Sequence, residues 1–256
     1  MFEGNGFNRN LLDIGVEKMI ISKKITCLTI ILISLFFVFS ANGQTFQGEI
    51  DFTMGFPQNE FDENLEKNGF GLGGTFGYSV PNSPVILGAD LSFMNYGKDE
   101  RTEHFSLTIP DVDVDVETTN NIVMGHLMLR IQPLKSAAIS PYLDGLFGFN
   151  YLYTETTVKD EDAEEDEEIA SSKNLEDTVM SYGVGGGFMV RLWQGTTAEG
   201  SPLQVMLNLR TKFIWGEEAK YLKEGSIIVE DYEVYYDVSQ SKTDMLIAQI
   251  GVSVNF

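Results

Sequence analysis

The sequence predicts an all-β fold: an eight-stranded antiparallel up-and-down transmembrane β-barrel with long extracellular loops. Three observations carry that reading. Apolar residues recur at every second position in eight separate segments, the period of a strand with one lipid-facing side. The last segment ends the chain on an aromatic residue: Leu246, Ala248, Ile250, Val252, Val254 and Phe256 alternate with Ile247, Gln249, Gly251, Ser253 and Asn255. An export signal stands near the front.

In that signal, Lys23 and Lys24 precede an apolar run, Ile25–Phe39, which leads into Ser40-Ala41-Asn42-Gly43-Gln44. Basic flank, apolar core and small-residue exit define a secretory signal. The run's 15 residues fall short of the roughly 20 that a membrane-spanning helix needs. Cleavage after Gly43 divides the chain into an extension with its signal (1–43) and a barrel domain (44–256). Residues 1–18 lack a signal's usual opening, which makes Met19 an alternative start. Cys27, the only cysteine, lies inside the signal, so neither a disulfide nor thiol chemistry is expected of the mature chain. It also precedes most of the apolar run, unlike a lipoprotein attachment site.

The first strand sets Phe46, Ile50, Phe52, Met54 and Phe56 against Gln47, Glu49, Asp51 and Thr53. The second, about 69–80, sets Phe70, Leu72, Phe76, Tyr78 and Val80 against glycines, Thr75 and Ser79. The third (85–96) turns Val85, Leu87, Ala89, Leu91 and Phe93 outward. The fourth (120–132) does so with Val123, Gly125, Leu127, Leu129 and Ile131. The fifth (140–153) presents Leu143, Phe147, Phe149, Tyr151 and Tyr153, and the sixth (178–192) Met180, Tyr182, Val184, Phe188, Val190 and Leu192. The seventh (202–215) presents Leu203, Val205, Leu207, Leu209, Phe213 and Trp215. Each has the length of a tilted strand that crosses a bilayer. Tyr78, Tyr151, Tyr153 and Trp215 fall near strand ends, where interfacial aromatics belong.

Connections alternate in length. Segments 81–84, 133–139 and 193–201 are short; 57–68, 97–119, 154–177 and 216–242 are long. Short periplasmic turns and long outer loops are the rule for such barrels, which places both strand termini on the periplasmic side. A soluble barrel also alternates, with its faces exchanged. The export signal, the aromatic density of the apolar face and Phe256 decide for the membrane.

Three segments carry a family resemblance: Pro141-Tyr142-Leu143-Asp144-Gly145-Leu146-Phe147-Gly148-Phe149, Tyr182-Gly183-Val184-Gly185-Gly186-Gly187-Phe188 and Gly251-Val252-Ser253-Val254-Asn255-Phe256. The chain resembles the small outer-membrane β-barrel proteins of the OmpA/OmpX-like (porin-family β-barrel) superfamily over essentially its whole mature length. The resemblance implies the architecture and an outer-membrane location, and is nearly silent on activity, since such barrels host adhesins, enzymes and structural proteins. The longer members' peptidoglycan-binding domain is expected to be absent. Gly251, Val252, Val254 and Phe256 read as a terminal assembly signal for the barrel-assembly machinery.

Eight strands leave an interior just wide enough for side chains. The expected inward set holds four acids (Glu49, Asp51, Asp90, Asp144) and four bases (Arg130, Arg191, Arg210, Lys212). Buried charges must pair, so the lumen reads as an ion-paired plug rather than a wide channel. His126, also inward, reads as a hydrogen-bonded core residue. The glycines at 183–187 read as close packing in the lumen wall, not as a phosphate cradle.

The net charge is −21 for the full chain. The four long loops hold 29 Asp/Glu and 8 Lys/Arg, so the outer cap carries the excess. Asp160–Glu168, with eight acids in nine residues, reads as a solvated block open to divalent cations or a cationic partner but without a defined metal site. Nucleic acid is excluded by sign. Asp111–Glu117 and Ser226–Val238 read as strands above the membrane, whose open edges offer a protein-binding surface. His104 near Ser106 is too little for a lipid-acting enzyme. No catalytic residue and no cofactor is expected. The expected role is structural or surface interaction (adhesion, envelope integrity), with narrow-pore transport of ions or small solutes as the alternative.

Overall fold

A computed structural model describes residues 46–65, 67–106, 109–135, 137–160, 168–196, 202–230 and 233–256. The expected signal and most of the Asp160–Glu168 block lie outside the described residues. Among the described residues no helix is long and apolar enough to cross a membrane. Strands do so instead.

The elements are β1 (Phe46–Pro57), α1 (Glu60–Leu65), β2 (Gly69–Ser79), β3 (Val85–Ser106), β4 (Ile109–Ile131), β5 (Ile139–Asp160), β6 (Glu168–Thr196) and β7 (Pro202–Gly216). Four short strands follow, β8 (Glu218–Tyr221), β9 (Ile227–Glu230), β10 (Glu233–Tyr236) and β11 (Ser239–Lys242), before β12 (Met245–Asn255). Eight strands close one antiparallel ring in the order β1-β12-β7-β6-β5-β4-β3-β2. Closure follows from the solvent: hydrocarbon offers no hydrogen bonds, so every wall amide must find another strand. At the seam Phe46 N donates to Phe256 O (2.6 Å) and Phe256 N to Phe46 O (2.8 Å).

The alternation read from the sequence is the alternation of the wall. Ile50 is 73% exposed, and Leu72, Leu91, Leu127, Leu143, Phe147, Val184 and Ile250 are exposed with it, all facing out. Gln47, Glu49, Asp51, Asp90, Arg130, Asp144, Arg210 and Lys212 are buried inside. Aromatic rings belt both ends. Phe46 lies 5.7 Å from Phe76 and 6.1 Å from Phe256 at one end; Tyr151 stacks on Tyr153, and Tyr182 on Trp215, at the other. The short β2–β3 turn closes through Val80 N to Val85 O (2.9 Å), with Asn82 in the left-handed region at φ 54°, a conformation asparagine tolerates.

Three features differ from the sequence reading. β3 to β6 run for 22, 23, 22 and 29 residues, well beyond a bilayer. Most of 97–119 and much of 154–177 is therefore strand, because alternating Thr, Val and charged residues satisfy a two-faced sheet in water as well. The first outer connection holds the helix α1. Segment 226–238 does not prolong a wall strand but forms its own hairpin, β9–β10.

Candidate functional site

The lumen is stratified. Near the periplasmic end Gln47 donates to Ser253 Oγ (3.1 Å) and Gln132 to Ser140 Oγ (2.8 Å). Above them lies a charge cluster built from five strands. Arg130 of β4 forks onto Asp144 of β5 (Nε–Oδ1 2.8 Å, Nη2–Oδ2 3.0 Å), and its Nη1 donates to Glu49 of β1. Its guanidinium lies 3.9 Å from the centre of the Tyr142 ring. Arg210 of β7 reaches Asp144 Oδ2 (2.6 Å) and Asp90 of β3. Lys212 donates to Asp90 and to Ser92 Oγ (3.1 Å).

Asn208 completes the cluster. It donates to Glu49 Oε2 (3.2 Å) and Asp51 Oδ1 (3.3 Å) and accepts from Tyr142 Oη (2.7 Å). Tyr142 fits because the opposite residue is Gly187, whose added Cβ would stand 2.8 Å from the tyrosine oxygen. Asp51 is 1% exposed, and its Oδ2 has no hydrogen-bond partner among the described residues.

Seven of the eight expected lumen charges thus share one buried cluster. Arg191 is the exception. It is only half-buried, at the end of β6 where the register slips between Arg191 and Trp193. The slip follows Arg191, which still pairs with the buried, inward Met206 and keeps the expected parity; it lies at the mouth of the lumen, outside the cluster. Gln249 joins the cluster by accepting from Arg210 Nη1 (3.2 Å), and a search for charge alone misses the neutral members, Asn208, Tyr142 and Gln249. Their inward position in each strand is the signal that would have found them.

An apolar layer covers the charges. Met94, Ile122, Met124, Ile214, Met245 and Ile247 are buried in one contiguous cluster. The same cluster continues into a roof. α1 inserts Phe61 and Leu65, and Ala219 and Tyr221 of β8 join them. Phe61 meets Tyr221 edge-on at 5.1 Å. β8 and β11 pair with each other rather than with the ring, carrying the β7–β12 connection onto α1. Asp244 holds the bend: Oδ1 accepts from Gly216 N (3.2 Å) and Oδ2 from Asn59 Nδ2 (3.1 Å). Burial raises the Tyr221 phenol above its ordinary range.

Outside the ring, β3 to β6 rise as a protruding sheet. β2 pairs with β3 only as far as Asn95, and β7 with β6 only from Ser181. Gly97–Ser106 and Glu168–Glu176 therefore each lack a strand on one side among the described residues. Three strands are tied by Glu117 of β4, which takes Lys98 of β3 (3.2 Å) and Lys159 of β5 (2.9 Å). The hydrogen bond from Lys159, helped by Lys98, lowers the Glu117 carboxyl against the opposing effect of burial. A cleft of about 220 Å³ separates the sheet from the hairpin, with Val158 and Ala170 on one wall and Ile227, Val234 and Tyr236 on the other. On the hairpin's other face the cross-strand pair Ile228 and Tyr235 is exposed. His104 and Ser106 lie on the protruding part of β3, and their side chains fall outside the described ones.

The family of the outer membrane protein beta-barrel domain matches residues 28–256. The chain belongs to that family. It is an outer-membrane β-barrel protein, seated in lipid. Among solved structures, the Neisserial surface protein NspA is 11% identical, covering 84% of this chain and 96% of that one at TM-score 0.35. Ail of Yersinia pestis, solved with the heparin analogue sucrose octasulfate, is 14% identical over 83% and 97% at 0.33. OprG of Pseudomonas aeruginosa is 14% identical over 84% and 96% at 0.40. A search of curated proteins finds no match. In this outer-membrane barrel the terminal strand residues divide between faces: Gly251 lies beside Asp51, while Val252 and Phe256 are exposed on the lipid side.

Proposed function

We propose that this outer-membrane barrel is a structural and surface-contact protein, serving adhesion or envelope integrity without enzymatic activity. The observation that carries the reading is the contrast between the two ends of the chain's architecture. Side chains fill the ring and roof it, whereas β3, β6 and the β9–β10 hairpin present backbone edges and apolar side chains to the outside. An unpaired strand edge recruits an extended segment through main-chain hydrogen bonds.

The acidic outer loops add charge selection, favouring a cationic protein or divalent cations over polyanions. The terminal strand, through Gly251, Val252, Val254 and Phe256, is the proposed handle for the barrel-assembly machinery. The segment before residue 44 is the proposed cleaved signal.

The test is adhesion of bacteria displaying the intact barrel, compared with a variant in which 226–238 is replaced by a Gly-Ser turn. On protein-coated surfaces the variant should lose at least ten-fold in retention. Equal retention, with normal heat-modifiable gel mobility, defeats the surface-contact reading. Narrow-pore transport, the competing reading, predicts reproducible conductance steps in planar bilayers.

A further inference from the structure

The cleft between the protruding sheet and the β9–β10 hairpin has two apolar walls. On the sheet, Val158 and Ala170 are cross-strand partners. On the hairpin, Ile227 and Tyr236 are partners, and Val234 lies two residues from Tyr236 on the same face. All five line the cleft, yet Val234 is 51% and Tyr236 45% exposed. The hairpin therefore leaves its own inner apolar face uncovered, and a two-stranded hairpin alone is marginal in water. The space of about 220 Å³ is smaller than the roughly 300 Å³ of a small-molecule pocket. It has room for one large apolar side chain.

The cleft also reaches the backbone of β6. Ala170, Ser171 and Ser172 are consecutive, and all three line it, although successive residues of a strand face opposite ways. The space thus wraps round the β6 edge, which carries no second strand there among the described residues. Ala170–Lys173 are exposed and pair regularly with β5 between two register slips, so the open edge suits a short segment. Ala170-Ser171-Ser172 places no charge on that edge. On β3, Lys98, Asp99, Glu100 and Arg101 stand in succession, and charges of that kind discourage pairing.

Charge decides what the segment carries. β5 and β6 end at Asp160 and Glu168, just beyond Val158 and Ala170. The sequence from Asp160 to Glu168 holds eight acids in nine residues, and the sequence joining β9 to β10 adds Glu230, Asp231 and Glu233. Nearby cations are already engaged. Lys98 and Lys159 hold Glu117, Lys173 contacts Tyr151 and Glu176, and Arg101, which lines the cleft, has a partner within the protein. An anion would meet the acids, and a cation pushed into the cleft would meet Arg101. An uncharged anchor with cations on either side avoids both.

Building on the surface-contact reading, we propose that this cleft takes an extended polypeptide segment in which one large apolar side chain is flanked by lysine or arginine. The anchor fills the space between Val158 and Val234, and the segment lies along the Ala170–Lys173 edge of β6.

The probe is a fluorescent seven-residue peptide with lysine at alternate positions, phenylalanine at the centre and valine elsewhere. Fluorescence polarisation reads its binding to the intact barrel in neutral detergent. Binding should saturate. It should weaken at least ten-fold when the lysines become glutamate, and again when phenylalanine becomes alanine. Ala170→Lys and Val234→Lys, both at exposed positions, should each weaken it at least ten-fold while keeping heat-modifiable gel mobility. Absence of saturation, or equal binding by both variants, overturns the site. Should the variants misfold, hydrogen exchange of the wild type decides: amides of 170–173 slow when the peptide is bound, or stay unchanged and overturn it. Self-association that Ala170→Lys abolishes, without peptide binding, assigns the edge to a second copy and overturns it as well. Adhesion lost with the hairpin while the peptide fails to bind defeats this cleft alone. Peptide binding with unaltered adhesion keeps the cleft and defeats the surface-contact reading.

Discussion

Arg130 and Asp144 stand directly opposite each other on β4 and β5 and are joined by two parallel hydrogen bonds, at 2.8 and 3.0 Å, with both side chains fully buried. A one-residue slip between these strands would turn one of the pair into lipid. The pair therefore fixes register as well as filling space. Asp144 is shared with Arg210, whereas Arg130 is the only cationic partner of Glu49 among the described residues, so the two carboxylates depend on Arg130 to different degrees.

That difference is measurable. Arg130→Met leaves Glu49 buried without its cation and should cost about 3–5 kcal/mol. Adding Glu49→Gln removes the stranded charge and should restore a large part of the loss, because Asp144 keeps Arg210. Urea unfolding followed by gel mobility reads both. If the double variant is no more stable than Arg130→Met, the pairing is not what holds this layer.

Gly148 is a second fixed point. An alanine Cβ there would fall 1.9 Å from the Gly125 carbonyl oxygen and 2.7 Å from His126 Cα. Both are backbone atoms, so the wall itself must move. Overpacking of this kind costs about 1–3 kcal/mol. Gly148→Ala should lower the unfolding midpoint and break the His126–Ser181 hydrogen bond. An unchanged midpoint would show that β4 and β5 separate freely at this row.

Glu117 gives the protruding sheet a pH dependence. Its carboxyl is held below the ordinary range by Lys159 and Lys98. A group depressed in the folded state stabilises above its unfolded value, and that contribution fades as pH falls through the folded value. The tie between β3, β4 and β5 should be intact at neutral pH and weaken below about pH 4.3, the ordinary glutamate value. Hydrogen exchange, corrected for intrinsic rate, should show amides of 98–102 losing protection at pH 3. Glu117→Gln should remove the difference between pH 7 and pH 3. Protection that stays constant in the wild type refutes the tie.

The wall was legible in the sequence because lipid enforces a strict period of two. Ile50, Leu72 and Leu143 announce their face without help from distant residues. The buried charges were legible by the same parity, which Arg191 also obeys through its pairing with Met206, although it stands half-buried near the strand end. The roof was not. Phe61 and Leu65 have helical spacing, but six residues are too few for periodicity to outweigh a loop reading, and their partner Tyr221 lies far along the chain. The Asn208 and Tyr142 hydrogen bonds were hidden for another reason: neutral polar groups look unremarkable until a buried charge is known to need them.

The roof supports a last prediction, which concerns conduction. Phe61 is fully buried against Tyr221 and Tyr96, so Phe61→Ala should loosen α1 at a cost of about 3–5 kcal/mol. Proteases should then cut within 57–68 in the variant before they cut the wild type. Beneath α1 the Met94, Ile122 and Ile214 layer remains, and beneath that the Arg130 and Arg210 cluster. Opening the roof alone should leave planar bilayers silent, in the variant as in the wild type. Steps in the variant only would make α1 the barrier and the two lower layers permeable. Steps in both would favour the narrow-pore reading outright.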